Sequence, residues 1–191
     1  MDAPVSKLKY DPDSSPMLRF HEAVADFIKG DDTPRAYLER CLEIISERDP
    51  AISAWVHFAP DIARAAADAS TERYKEGRPL SLIDGCPMAV KDIIETADMP
   101  TQMNSAIYED WQPLRDAASV YAIRESGAVI VGKTVTTEFA TGASGPTTNP
   151  FDAERTPGGS SSGTAAAVGS GMVPAGLGTQ TAGSVVRPAA Y

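Results

Sequence analysis

The sequence predicts an α/β fold on three observations. Runs of β-prone residues alternate with segments of helical period. One run, Ala128-Val-Ile-Val131, is β-prone at every position, as expected of a strand covered on both faces. The 191 residues are enough for one ordinary domain with a real core.

Residues 1–15 are polar, carry Pro4 and Pro12, and read as a loose arm. Pro16 then opens a helix that Ser14 or Ser15 can cap, with Leu18, Ala23, Val24 and Phe27 near one face before Gly30 stops it. Thr33 caps a second helix, with Leu38, Cys41, Leu42 and Ile45 at helical spacing up to Asp49-Pro50. Ala54 to Phe58 is a short strand, Pro60 to Tyr74 a third helix, and Cys86 to Ile94 a strand with apolar residues on both sides of Lys91. Asp116 to Ser126 is helical and closed by Gly127, and the strand Ala128 to Val131 follows. Thr164 to Gly171 forms a short helix and Met172 to Leu177 a buried strand.

Charge and composition exclude several functions. With 17 basic and 26 acidic residues the chain carries −9, which repels phosphate backbones and anionic lipid, so neither nucleic acid nor a membrane is an expected partner. Cys41 and Cys86 give no disulfide framework and no metal-site spacing. Residues 1–30 lack a basic-then-apolar leader, so the cytoplasm is the expected compartment.

The chemistry concentrates in residues 156–186, which contain no charged side chain and eight of the fifteen glycines. Glycine lets backbone amides approach a ligand closely, so this density of Gly and Ser points to a backbone-built pocket lined with hydroxyls. A flexible linker would not need its alanines and valines, and its prolines, glycines and Gln180 make it a poor membrane span.

Two short patterns mislead. Gly127 to Thr134 matches the phosphate-loop string G-x-x-x-x-G-K-[ST], but its four middle residues are the strand itself rather than a loop after a strand. Gly159-Ser-Ser-Ser-Gly163 matches the nucleophile elbow with Ser161 as the serine, yet that fold needs a histidine downstream and the only two, His21 and His57, lie upstream. A serine nucleophile then needs another base. Lys91, flanked by Met88, Val90, Ile93 and Ile94, would be desolvated and so able to be a neutral amine. A lysine snorkelling from a strand end, or paired with Asp92, fits the spacing at least as well.

Several ordered motifs over roughly residues 80–191 resemble the amidase signature family. They are Gly85-Cys-Pro-Met-Ala-Val-Lys-Asp92, the Gly127 to Thr134 string followed by Glu138-Phe-Ala140, Asn149-Pro150, Gly158-Gly-Ser-Ser-Ser-Gly163 and Gly183-Ser-Val-Val-Arg-Pro-Ala189. The resemblance implies a mixed sheet covered by helices and a cofactor-free, metal-free amide hydrolase. By position, Ser184 matches the nucleophile that forms the acyl-enzyme, Ser160 the bridging serine that follows a cis peptide bond, and Lys91 the base. The backbone N–H groups of Thr181, Ala182, Gly183 and Ser184 match the oxyanion hole. The chain departs from the family's common residues at Gln180, Ala182 and Ser162, where aspartate, glycine and glycine are frequent.

Family enzymes are more than twice as long, so residues 16–191 are expected to be the N-terminal portion of one amidase signature domain, incomplete at the C-terminus. Its expected partners are a small-molecule amide, the rest of the same protein and a second copy in a homodimer. An amidase-like subunit of a glutamine-dependent amidotransferase, or an inactive truncated fragment, is the alternative. Met103, Ala140, Gly142 and the uncharged stretch imply an apolar substrate pocket suited to neutral aliphatic or aromatic carboxamides.

Overall fold

The computed structural model describes residues 17–191. The loose arm and the helix start at Pro16 lie outside the described residues. The first helix, α1, is Phe20–Lys29. It starts later than the sequence suggests because Arg19 is still extended, and Phe20 begins the packing, edge-on to Phe27 and Tyr37 with ring centroids 5.9 and 5.5 Å away.

Thr33 accepts the N–H of Ala36 and caps α2, Pro34–Ile52. This helix runs past the expected stop at Pro50. Asp49 closes it instead, its carbonyl taking the N–H of Ser53 and its carboxylate that of Ala54. Then come β1, Trp55–Phe58, and α3, Pro60–Lys75.

The strand β2 is Pro87–Lys91, so Lys91 ends it rather than sitting in its middle. Beyond Lys91 the chain turns, with the N–H groups of Ile93 and Ile94 both reaching the Lys91 carbonyl. After α4, Ala118–Glu125, comes β3, Val129–Thr134. That strand ends three residues later than expected and absorbs the whole tail of the phosphate-loop string. The helix α5 is Ser162–Gly169 and β4 is Ala175–Leu177. Pro174, which has no N–H to give a ladder, keeps β4 shorter than expected. A last short helix, α6, is Val186–Ala189, where the sequence pattern predicts no element.

The four strands are ordered β1-β3-β2-β4. β1 is antiparallel to β3, while β2 is parallel to both β3 and β4, which makes the sheet mixed. Core side chains alternate between its faces. Ala89, Val129 and Val131 pack with α2, α3 and α5, whereas Met88, Val90 and Ile130 pack with Phe20, Phe27, Tyr37 and Val120. α5 lies so close to the sheet that a Cβ on Gly163 would strike the Ala54 carbonyl and the Val135 amide. That closeness brings the start of α5 to the C-terminal end of β2.

Candidate active site

At the end of β2 the Lys91 side chain is fully buried. Its Nζ donates to Ser160 Oγ at 2.7 Å and to Thr179 Oγ1 at 2.8 Å, with the Thr179 carbonyl at 3.4 Å. All three partners are neutral oxygens. Burial without a carboxylate pulls the Lys91 amine down to about 8, within reach of deprotonation near neutral pH.

Ser160 stands just before α5 and is 1% exposed. The Gly159-Ser160 peptide is cis. The carbonyl of this peptide and the next one along are both held: Gly159 O accepts from Arg187 Nε and Nη2 at 2.9 and 2.6 Å, and Ser160 O accepts from Thr137 N at 3.1 Å.

The segment after β4 supplies the other half. Ser184 is half-buried, and its carbonyl takes the N–H of Ser161 at 3.1 Å, which fixes the turn to the start of α5. Gln180 Oε1 accepts the N–H groups of both Val185 and Val186 at 2.9 Å and so folds the turn over into α6. Between these ties the N–H groups of Thr181, Ala182, Gly183 and Ser184 make no hydrogen bond to the chain among the described residues. Unpaired amides in a tight turn can receive a negatively charged oxygen.

The other serines of the run have structural partners. Ser161 Oγ points to the Thr179 carbonyl at 3.3 Å and Ser162 Oγ to the Val135 carbonyl at 3.3 Å. The turn at Met103 and the one at Phe139-Ala140 join through the Phe139 N–H and the Met103 carbonyl, beside the Thr137 that holds Ser160. A cavity of about 510 Å³ lies elsewhere, on the side of the turn lined by Phe151, Ser161, Val168, Val185 and Tyr191. Of the residues expected around a pocket, Met103, Ala140 and Gly142 do not line it, whereas the uncharged stretch does, through Ser161, Ala165 and Val168 among others.

Three contributors carried no assigned role in the sequence reading. Thr179 is found only by folding, since it meets Lys91 across 88 residues of chain. Gln180 shows only as a departure from the family's usual residue. Arg187 had a visible signal: it is the first charge after the 31 uncharged residues 156–186. Among the described residues no group of His, Cys, Asp and Glu could hold a metal ion, and no helix is long and apolar enough to cross a membrane.

Comparison with known proteins identifies the family of the chain. The Amidase family model matches residues 36–191. A glutamyl-tRNA(Gln) amidotransferase subunit from Chloroflexus aurantiacus is 45% identical over 174 residues, covering 88% of this chain and 36% of that protein. The corresponding subunit from Rhodopirellula baltica is 42% identical over 176 residues, covering 89% and 35%. The chain thus spans about a third of the length of these curated relatives. Among solved structures, native peptide amidase from Stenotrophomonas maltophilia superimposes with a TM-score of 0.84 at 32% identity, covering 90% of this chain and 38% of that one. An amidase family protein from Bacillus anthracis gives 0.84 at 27% identity, covering 93% and 38%. On these matches and the mixed sheet that carries the site, the chain belongs to the amidase signature family.

Proposed function

We propose that the protein breaks the C–N bond of a carboxamide through a serine acyl-enzyme, with Lys91, Ser160 and Ser184 as its proton path and nucleophile. The observation that carries this reading is the buried Lys91 amine, 2.7 Å from Ser160 Oγ and without a carboxylate partner. Neutral Lys91 takes the Ser160 proton as Ser160 takes that of Ser184, and Ser184 Oγ attacks the amide carbonyl. The amides of Thr181 to Ser184 receive the oxyanion, the contribution that is usually largest in acyl transfer. The proton returns along the same path to the departing nitrogen, which leaves as ammonia or an amine. Water then adds to the ester and frees the acid. No metal or cofactor enters these steps.

A second reading is favoured by the curated relatives, which are subunits of an amidotransferase. In it the same chemistry releases ammonia for use by another polypeptide of the complex. With its charge of −9 the chain would then work on the amide while its partners hold the RNA.

The test is made on the intact protein. A serine-reactive fluorophosphonate should label wild type and fail to label Ser184→Ala, which should also lose turnover. Continued labelling of that variant at Ser161 would overturn the assignment. Hydrolysis of simple aliphatic or aromatic amides by the protein alone selects the stand-alone amidase, and turnover only with added subunits selects the transferase component.

A further inference from the structure

Lys133, the lysine of the phosphate-loop string, has no task in the reaction proposed above, yet it is fully buried. It ends up beside the catalytic strand. β2 and β3 pair in parallel with Lys91 opposite Thr134 and Val90 opposite Lys133. Thr134 shares a hydrogen bond with Thr164 of α5 at 2.7 Å, which puts Thr134 and Lys91 on the α5 face. Lys133, one residue earlier, therefore faces the other way.

On that far face Lys133 Nζ lies 3.1 Å from Asp92 Oδ1, in an ion pair whose side chains are 0% and 1% exposed. The lysine also donates to the Pro100 carbonyl at 3.0 Å and to Thr101 Oγ1 at 2.6 Å, and Asp92 Oδ2 accepts from Gln102 N at 3.1 Å. Asp92 is the residue directly after Lys91, so its carboxylate is the negative charge nearest to Lys91 in sequence.

We propose that Lys133 is a positioning residue for the reaction: by holding Asp92 in a net-neutral pair on the opposite face of the sheet, it cancels the negative charge nearest to Lys91 in sequence and leaves that amine able to act as a base. This rests on the reading of Lys91 as that base. Net neutrality does not depend on where the proton sits. Burial pushes Asp92 up and Lys133 down while their attraction opposes both, and a charged pair and a neutral pair present the same zero charge to Lys91.

Other titratable groups also lie near this end of the sheet. Glu95 and Asp98, from the loop after β2, act on Lys133, and Asp98 and Asp116 are themselves held by Arg124 of α4. His57 of β1 is the register partner of Lys133 on its other side. Glu138 follows β3, and Arg187 of α6 is engaged with the Gly159 carbonyl. α5, β4 and the turn before α6 contribute no charge at all.

The experiment is the pH profile of kcat/KM for the intact protein as wild type, Lys91→Ala, Lys133→Met and the double variant Lys133→Met/Asp92→Asn. Wild type should show an alkaline rise that Lys91→Ala lacks. In Lys133→Met the Asp92 carboxylate is left as an uncompensated negative charge one residue from Lys91, which favours the charged amine, so the rise should move to higher pH by about one unit or more. The double variant, which has neither charge, should return to the wild-type midpoint even if its rate is lower. An unmoved midpoint in Lys133→Met, or a shift that persists in the double variant, overturns the proposal and makes the pair merely structural. Should Lys133→Met fail to fold, Lys133→Gln, which keeps a donor for Thr101 and Pro100, is read by the same two outcomes. An alkaline rise that survives in Lys91→Ala would instead overturn the reaction itself, so the two failures are distinguishable.

Discussion

Replacing Lys91 by methionine tests its buried state without any substrate. The structure places the amine at 0% exposure and burial lowers it from 10.5 to about 8. At about 1.36 kcal/mol per unit, charging this lysine costs the folded protein about 3 kcal/mol. Below the folded value both states hold the proton and the whole cost is present. Between the two values the unfolded chain still binds a proton that the native state has released, so stability rises with pH. Above the unfolded value both are neutral and the cost is gone.

Lys91→Met cannot show this component. It also loses the bonds to Ser160 and Thr179, which removes a roughly constant increment of about 1–3 kcal/mol for each partner left unpaired. The informative quantity is therefore the difference in unfolding free energy, wild type minus variant, measured by urea denaturation from about pH 7 to about pH 11. It should climb by about 3 kcal/mol, with a steepest slope of about 1.4 kcal/mol per pH unit. A flat difference would mean that Lys91 has an ordinary amine value in the folded state. A difference that falls with pH would mean that a carboxylate holds it charged. Either result refutes the reasoning behind the proposed base.

Two further perturbations probe the frame around the site. Gln180→Leu removes the acceptor for the amides of Val185 and Val186 and should cost about 1 kcal/mol of stability while lowering kcat far more than KM, whereas Gln180→Glu keeps both acceptor bonds and should recover most of kcat; steady-state kinetics of the two variants check this. Gly163→Ala puts a methyl group against the backbone of Ala54 and Val135 and should destabilise the protein by about 3 kcal/mol or more, visible as a lowered Tm.

What could be read from the sequence was what local pattern encodes. Apolar spacing located α2, α3, β2 and β3 within a few residues, and the charge-free run covers the segment that meets Lys91 in the candidate site. Ends were harder, because they depend on bonds to distant groups: Asp49 rather than Pro50 ends α2, and the turn bonds to its own carbonyl make Lys91 the last residue of β2. The Thr179 hydroxyl on Lys91, the Arg187 guanidinium on Gly159 and the Gln180 amide on α6 join segments whose meeting no periodicity announces. The segment between β2 and α4 was also opaque. It has little regular structure, and Asp92, Thr101 and Gln102 organise it through side-chain bonds instead of a helix or strand.

Lys91 and Lys133 show why residue type near a strand end does not by itself assign a role. Both are lysines at the C-terminal ends of neighbouring parallel strands, both are buried, and burial lowers both. The register pairs Lys91 with Thr134 rather than with Lys133, and this offset of one residue sends the two side chains to opposite faces of the sheet. One face offers hydroxyls and a carbonyl from a stretch that contains no charge, so that lysine has only neutral acceptors. The other face offers Asp92, so that lysine has a counter-charge. A pattern that counts letters scored Lys133 as the phosphate-binding residue and was silent on Lys91. The pleat of two strands reverses that order, since an amine without a counter-charge is the one that can give up its proton near neutral pH.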